Sequence, residues 1–278
     1  EHYHEEFKKI FQDVSFSYDL YTKTSDNYHK DMVKKLLRIM LDKGYIKELK
    51  APQTYCTHCK KLVFDREIEG ECIFCGNKTK EEECDNCGHV PTEIKNAVCR
   101  ACTNRTILVN AKNLYLMLST LQPQLEDYVN RNKHNWRDFC IKQTQRDLKE
   151  GLKDRPITRD ITWGIDVPYD GYENKSIFVW IEALLGYVTA TQKFCDEHDL
   201  NWEDFWKENG RNKIYIVYGK DNISFHTIIL PALLMSLDED YHLPDTMVNS
   251  QYLMINSEKF SKTKNNIFAL LAIKITFP

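Results

Sequence analysis

The chain has 278 residues, 42% of them hydrophobic, which is enough for one large or two modest domains with real cores. Its 38 basic and 41 acidic residues give a net charge of −3, so no global basic field marks a nucleic-acid binder, and any RNA contact has to come from local patches. No run approaches the roughly 18 apolar residues of a membrane span, and "EHYHEEFKKI" has neither the basic nor the apolar region of a signal peptide, so a cytoplasmic protein without membrane partners is expected.

In chain order, the start lacks Met and falls inside an amphipathic pattern, which suggests a fragment of a longer protein. From Asp31 to Lys43 the residues Met32, Val33, Leu36, Leu37, Ile39 and Met40 recur at helical spacing, and Gly44 stands where a helix ends. Between Tyr55 and Thr103 the periodicity stops, and this stretch holds eight of the ten cysteines. Two polar helical stretches are expected at about Asn113 to Tyr128 and Trp136 to Gly151, followed by an ordered loop, "RPITRDITWGIDVP". Then "SIFVWI" reads as a strand with a helix from about Glu182, "KIYIVYG" as a strand, "NISFHTIILPALLMSL" as a helix despite Pro231, and "TMVNSQYLMI" as a strand. That alternation is the pattern of a parallel α/β sheet, whose ligands sit at the carboxyl ends of the strands.

The cysteines form four C-x-x-C pairs: Cys56/Cys59, Cys72/Cys75, Cys84/Cys87 and Cys99/Cys102. Two-residue spacing lets both sulfurs of a turn face one ion, so the pairs supply two tetrathiolate zinc sites, structural because they leave no open position. Disulfides are the competing reading, disfavoured in a chain without a secretory signal. His58 and His89 adjoin ligands but are not needed, and Cys140 and Cys195 read as buried thiols. Spacing leaves sequential and nested pairing both open.

"EKFSKTKNN", Glu258 to Asn266, is a short cationic stretch that taken alone is a solvated loop. Taken together with "YCTHCKKLVFDREIEGECIFCGN", "ITRDITWGIDVP", "FVWIEALLGY" and "GKDNISFH", it occurs in the order and approximate spacing of the methionyl-tRNA synthetase family, which the chain resembles from about Glu1 to Asn266. The resemblance implies a class I synthetase fold: a partial Rossmann-type parallel sheet split by an inserted connective domain with zinc knuckles. Residues 1–20 would end the first Rossmann half, 21–177 form the insertion with knuckles at 55–103, 178–245 the second half, and 246–278 the start of the module bearing the "KMSKS" loop. It also implies nested pairing of the cysteines, two zinc ions, methionine, ATP with Mg and tRNA(Met) as substrates, and a reaction that forms methionyl-adenylate and then methionyl-tRNA.

By the same resemblance "KFSKT" stands for "KMSKS", and Lys262, with Lys259 second, would follow phosphate charge as it shifts toward the leaving pyrophosphate. Trp180, Ala183, Leu184 and Tyr187 would line a methionine pocket, with Asn222 and His226 on its far side. Aromatic walls suit a thioether, each sulfur–aromatic contact contributing about 0.3 to 1.5 kcal/mol; a plain core tryptophan is the competing reading for Trp180. Asp221 and Lys220 would contact ATP. Arg159 matches an active-site arginine, against a structural salt bridge with Asp160. Glu182 stands where many relatives have Asp. The family's "HIGH" element, which binds ATP at a helix start, would lie upstream of Glu1. A truncated paralogue without adenylation and a zinc-based RNA binder are the alternatives.

Overall fold

A computed structural model describes residues 1–64, 67–80, 84, 86–87, 94–161, 163–207, 212–237, 240–255 and 258–259. The chain divides into two compact units. The first takes residues 1–45, 117–153 and the chain from 179 on; the second takes 46–116 and 154–178.

In the first unit, α1 (His2–Asp13) is amphipathic and buries none of its residues; Phe11 stacks on Phe16 and meets Tyr21 edge-on. Helix α2 (Asn27–Asp42) starts where Asp26 accepts a hydrogen bond from the Tyr28 amide at 3.0 Å. It buries His29, Val33, Leu36, Leu37 and Met40, one face at the helical period. Of the residues the sequence assigned to that pattern, Ile39 faces outward. Gly44 at φ +77° closes the helix, as the sequence indicated.

Helices α3 (Leu118–Asn132) and α4 (Asp138–Glu150) follow, α4 burying Cys140, Thr144 and Leu148. Helix α5 (Val179–Glu197) and the short α6 (Glu203–Trp206) precede a parallel pair, β10 (Tyr215–Gly219) and β11 (Thr246–Ser250), in register from Tyr215 with Thr246 to Gly219 with Ser250. Their crossover runs through a tight turn at Lys220–Asn222, a wide turn at Phe225–Ile229 and α7 (Leu230–Leu237). The wide turn stands just ahead of Pro231, which has no N–H to continue the ordinary helical ladder. Side chains of β10 alternate: Ile216 and Tyr218 are buried, Tyr215 and Val217 exposed.

The second unit is antiparallel. Strand β1 (Ile46–Cys56) pairs with β6 (Ile107–Leu116) from Ile46 with Leu116 to Tyr55 with Ile107. Flanked by β2 (Lys61–Leu62) and β7 (Arg155–Pro156), they make a sheet ordered β2-β1-β6-β7. A smaller sheet holds β3 (Ile68–Cys72) between β4 (Lys78–Thr79) and β5 (Ile94–Cys99). The β3–β5 register shifts around Gly70, where an added Cβ would lie 2.4 Å from Ile94 Cγ2 and 2.5 Å from the Lys95 carbonyl, so only glycine fits. Strands β8 (Thr158–Arg159) and β9 (Ser176–Ile177) pair antiparallel.

Two expectations are corrected here. Asn113 to Leu116 is the end of β6, not a helix start; ten register pairs with β1 outweigh the ambiguous period of "NLYLML", and the helix occupies Leu118–Asn132 instead. "SIFVWI" contributes only Ser176–Ile177 as strand, antiparallel to β8, and α5 begins at Val179 rather than Glu182. A short apolar run does not distinguish a buried strand from a buried helix. Among the described residues the parallel sheet therefore has two strands, β10 and β11, rather than three. In the described part of "RPITRDITWGIDVP", the Ile165 carbonyl accepts from the Ile177 amide at 2.8 Å and the Ile161 carbonyl from Ser176 Oγ at 2.8 Å.

Candidate functional site

The eight cysteines gather as Cys56, Cys59, Cys99, Cys102 and as Cys72, Cys75, Cys84, Cys87, each group with all sulfurs within 4.8 Å of one another. This is the nested arrangement. Sγ–Sγ separations are 3.4 Å for Cys56–Cys102, 3.9 Å for Cys59–Cys99, 3.8 Å for Cys72–Cys87 and 3.7 Å for Cys75–Cys84. These are too long for disulfides and match the edge of about 3.8 Å that a tetrahedron with 2.3 Å metal–sulfur bonds requires.

Three of the turns are built alike, the residue four after the first cysteine taking a left-handed conformation: Lys60 (φ 54°), Gly76 (74°) and Thr103 (60°). The next residue closes each of two turns onto its first cysteine: the Cys72 amide donates to the Asn77 carbonyl at 2.8 Å, and Cys99 to Asn104 at 2.9 Å. Hydrogen bonding from Asn77 and Asn104 pulls the Cys75 and Cys102 thiols down to about 6. Cys59 is pushed up to about 12 by hydrogen bonding with Cys102 and Cys56; a divalent cation would let four such close sulfurs ionise together. The donor set fits a closed, structural metal site. Cys140 and Cys195 are free and buried, as expected.

In the first unit, α5 and the turn after β10 bring several expected pocket residues together. The Trp180 ring stacks on Phe225 with centroids 5.1 Å apart. Tyr187 Oη lies 2.9 Å from His226 Nε2, while His226 Nδ1 lies 2.8 Å from the Asn222 carbonyl. A carbonyl only accepts, so Nδ1 carries the proton, and Nε2 of the neutral ring accepts from the Tyr187 hydroxyl. Burial pushes the His226 pKa down and that of Tyr187 up, which keeps both neutral. The imidazole lies flat on Tyr218, 4.3 Å between centroids and 7° between planes. Behind it, Ser224 Oγ donates to Asp147 Oδ2 at 2.6 Å, and burial raises that carboxyl's pKa.

Ala183 and Tyr187 also line a cleft of about 310 Å³, together with Gly186, Thr22, Thr24 and Asp26 among others. Leu184, in contrast, is 3% exposed and packs into the core, and Asn222 meets His226 through its backbone carbonyl. Asp221 accepts from the Tyr252 hydroxyl, over whose ring the Lys220 ammonium sits at 5.2 Å.

Arg159 belongs to the second unit, 8% exposed, its guanidinium 4.0 Å from the Phe178 centroid and 4.9 Å from that of Phe64. Its Nη1 donates to the Pro156 and Thr158 carbonyls at 3.3 Å. Asp160 pairs with Lys175 at 2.6 Å. Lys259 pairs with Met254 in the hairpin of β12 (Met254–Ile255) and β13 (Glu258–Lys259). Lys262 lies outside the described residues. The sequence reading passed over His29, Tyr218, Phe225 and Asp147; the clue for His29 was a polar ring on the face of α2 that is otherwise apolar.

Residues 1–276 match the family model for the tRNA synthetases class I (M). The chain is 38% identical over 267 residues to methionine–tRNA ligase 1 of Alkaliphilus oremlandii (strain OhILAs), covering 95% of this chain and 49% of that one. To methionine–tRNA ligase of Streptococcus pneumoniae (strain CGSP14) it is 39% identical, covering 95% and 48%. The fold resembles that of Mycobacterium tuberculosis methionyl-tRNA synthetase solved with methionyl-adenylate, with TM-scores of 0.69 and 0.70 in two structures at 19% and 21% identity, covering 98% of this chain and 48% of theirs. The chain spans about half the length of the relatives it matches. With the family model matching nearly its whole length, this chain belongs to the class I tRNA synthetases of the methionyl (M) family.

Proposed function

We propose that the protein activates methionine with ATP and passes the methionyl group to tRNA(Met). The observation that carries this reading is the cluster of Trp180, Tyr187 and His226 around α5, in a chain whose relatives are named methionine–tRNA ligases. A neutral histidine and a hydroxyl locked to each other, beside an aromatic wall, leave few free donors or charges to favour a polar side chain over a thioether.

Chemically, a methionine carboxylate oxygen attacks the α-phosphorus of ATP, and the bond to pyrophosphate breaks. A hydroxyl of the terminal tRNA adenosine then attacks the carbonyl carbon and releases AMP. Trp180, Ala183, Leu184 and Tyr187 are assigned to the amino-acid side, with Asn222 and His226 opposite; Leu184 acts from behind, through packing. Lys259 and Lys262 are assigned to the departing pyrophosphate, and Lys220 and Asp221 to ATP, which is taken with Mg. Each cysteine group is assigned one zinc ion, which holds its turns together and stays out of the reaction. The domain reading keeps the boundaries 1–20, 21–177, 178–245 and 246–278, and the cytoplasm is the place of action. No helix among the described residues is long and apolar enough to cross a membrane.

Methionine-dependent exchange between ATP and pyrophosphate, measured on the full-length protein, tests the reading. Exchange that falls at least about a hundredfold in Lys262→Ala supports it. No exchange, with no methionine binding by calorimetry, overturns it, and exchange that survives Lys262→Ala removes the role of that lysine.

A further inference from the structure

Helix α5 carries Trp180, Ala183, Leu184 and Tyr187, so whatever sets its roll and height sets all four. Two polar side chains on it are buried, Glu182 at 6% and Thr189 at 2% exposure. They are seven residues apart, two turns along one face. The imidazole of His29, in the first turn of α2 and 5% exposed, reaches both: Nε2 lies 2.7 Å from Glu182 Oε2, and Nδ1 lies 2.7 Å from Thr189 Oγ1. The ring passes over Gly186, midway between them, where an added Cβ would be 3.8 Å from His29 Cε1.

We propose that His29 is a positioning residue for the methionine site, a strut that fixes the rotation of α5 and the width of the cleft beside it. The proposal rests on the methionine-activating reading given above. Turning α5 by one residue, about 100°, would carry both partners away from the ring, so the two hydrogen bonds are compatible with one placement of the helix. The strut stands between the walls of the cleft: Ala183 and Tyr187 on the α5 side, Thr22, Thr24 and Asp26 leading into α2 on the other.

The junction has two further ties, both on the C-terminal half of α5. Lys193 Nζ lies 2.5 Å from Asp26 Oδ2, and the Tyr28 hydroxyl donates to Asp196 at 2.8 Å. They keep α2 on α5 when His29 is truncated, while the N-terminal half, with Trp180 and Ala183, loses its anchor to α2 at Glu182. A general stabilising role would act on the whole unit. A strut acts first on the end of α5 that bears the pocket.

The test uses the full-length protein with His29→Ala, His29→Gln, which keeps reach toward Glu182, and His29→Asn, which keeps reach toward Thr189. In methionine-dependent exchange, His29→Ala raises KM for methionine about tenfold, with KM for ATP and kcat held within about threefold. Gln recovers part of the loss by restoring the contact nearest Trp180, and Asn recovers less. A methionine KM unchanged in all three, with only Tm lowered, overturns the proposal. Fluorine NMR on protein labelled with 5-fluorotryptophan, with Trp180→Phe as the assignment control, decides the matter apart from activity. The Trp180 resonance shifts in His29→Ala and returns partway in His29→Gln, and a resonance that stays put overturns the strut even where no exchange is detected. Absent exchange with a shifting resonance overturns the function proposed above and leaves the strut standing.

Discussion

The two units stay folded by different means. In the first, α5 and α7 bury long apolar runs: Leu185, Val188, Leu230, Leu233 and Leu234 are fully inaccessible. In the second, the knuckle core consists of Val63 and Ile68 packed with Cys56 and Cys99, and Cys59, Cys102, Ile94 and Ala97 at its edge. Half of that cluster is cysteine. Side chains that fill a core elsewhere are here the candidate ligands, so the first unit is held by area removed from water, whereas the knuckles of the second would depend on coordination.

The largest expected effect breaks the second unit alone. Strong chelation under reducing conditions, or Cys99→Ser, removes ligation worth on the order of 10 kcal/mol and unfolds the outer knuckle. Limited proteolysis should cut within residues 46–116 while 179–237 stays protected, and metal analysis of the untreated protein should give two zinc equivalents. Protection throughout after metal loss would erase the contrast. The reciprocal change, Leu185→Ala, creates a cavity in the first unit and costs about 2 to 5 kcal/mol, read as a lower midpoint in urea with zinc content unchanged.

Acidification sharpens the comparison further. Burial lowers the His226 pKa below its usual 6.5, so the contribution of the neutral ring is complete above that value and declines as pH falls through the lowered one. Stability of the first unit should therefore drop on acidification below about 6.5, and His226→Gln should flatten that part of the profile. A curve the same in both proteins would assign the acid sensitivity to other groups. The smallest effect is local: Asp26→Ala removes the cap of α2 and its tie to Lys193, a loss of about 1 kcal/mol detectable as a lower Tm.

How much of this was legible in the sequence follows the same division. Metal turns announce themselves because coordination fixes residue type and spacing together, and few structures besides metal sites need four C-x-x-C pairs. Spacing alone left open which pairs group together, because that depends on β3 and β5 meeting in space; the nested grouping was implied by the resemblance, and the sulfurs gather that way. Helix α2 was clear from its period and from Gly44. Strands β1 and β6 were missed, since neither alternates cleanly, and their identity comes from pairing with each other. For α5 the error was one of kind: Val179 and Trp180 favour strands by propensity, and burial of Ile181, Leu184, Leu185 and Val188 after them fixed a helix that begins at Val179. In the candidate site, the resemblance named Tyr187 and His226 on opposite sides of a pocket; their direct contact depends on the Asn222 carbonyl, and a backbone atom carries no letter in a sequence.

The chain passes between the units four times, after Tyr45, Leu116, Lys153 and Phe178. Synthesis runs from the N-terminus, so this threading sets an order of assembly. Every residue of the second unit has been made once Phe178 emerges, whereas α2, α3 and α4 still wait for α5, α7 and β11 to cover their apolar faces. The second unit can therefore close first on the ribosome, before the rest of the first unit's core has been made.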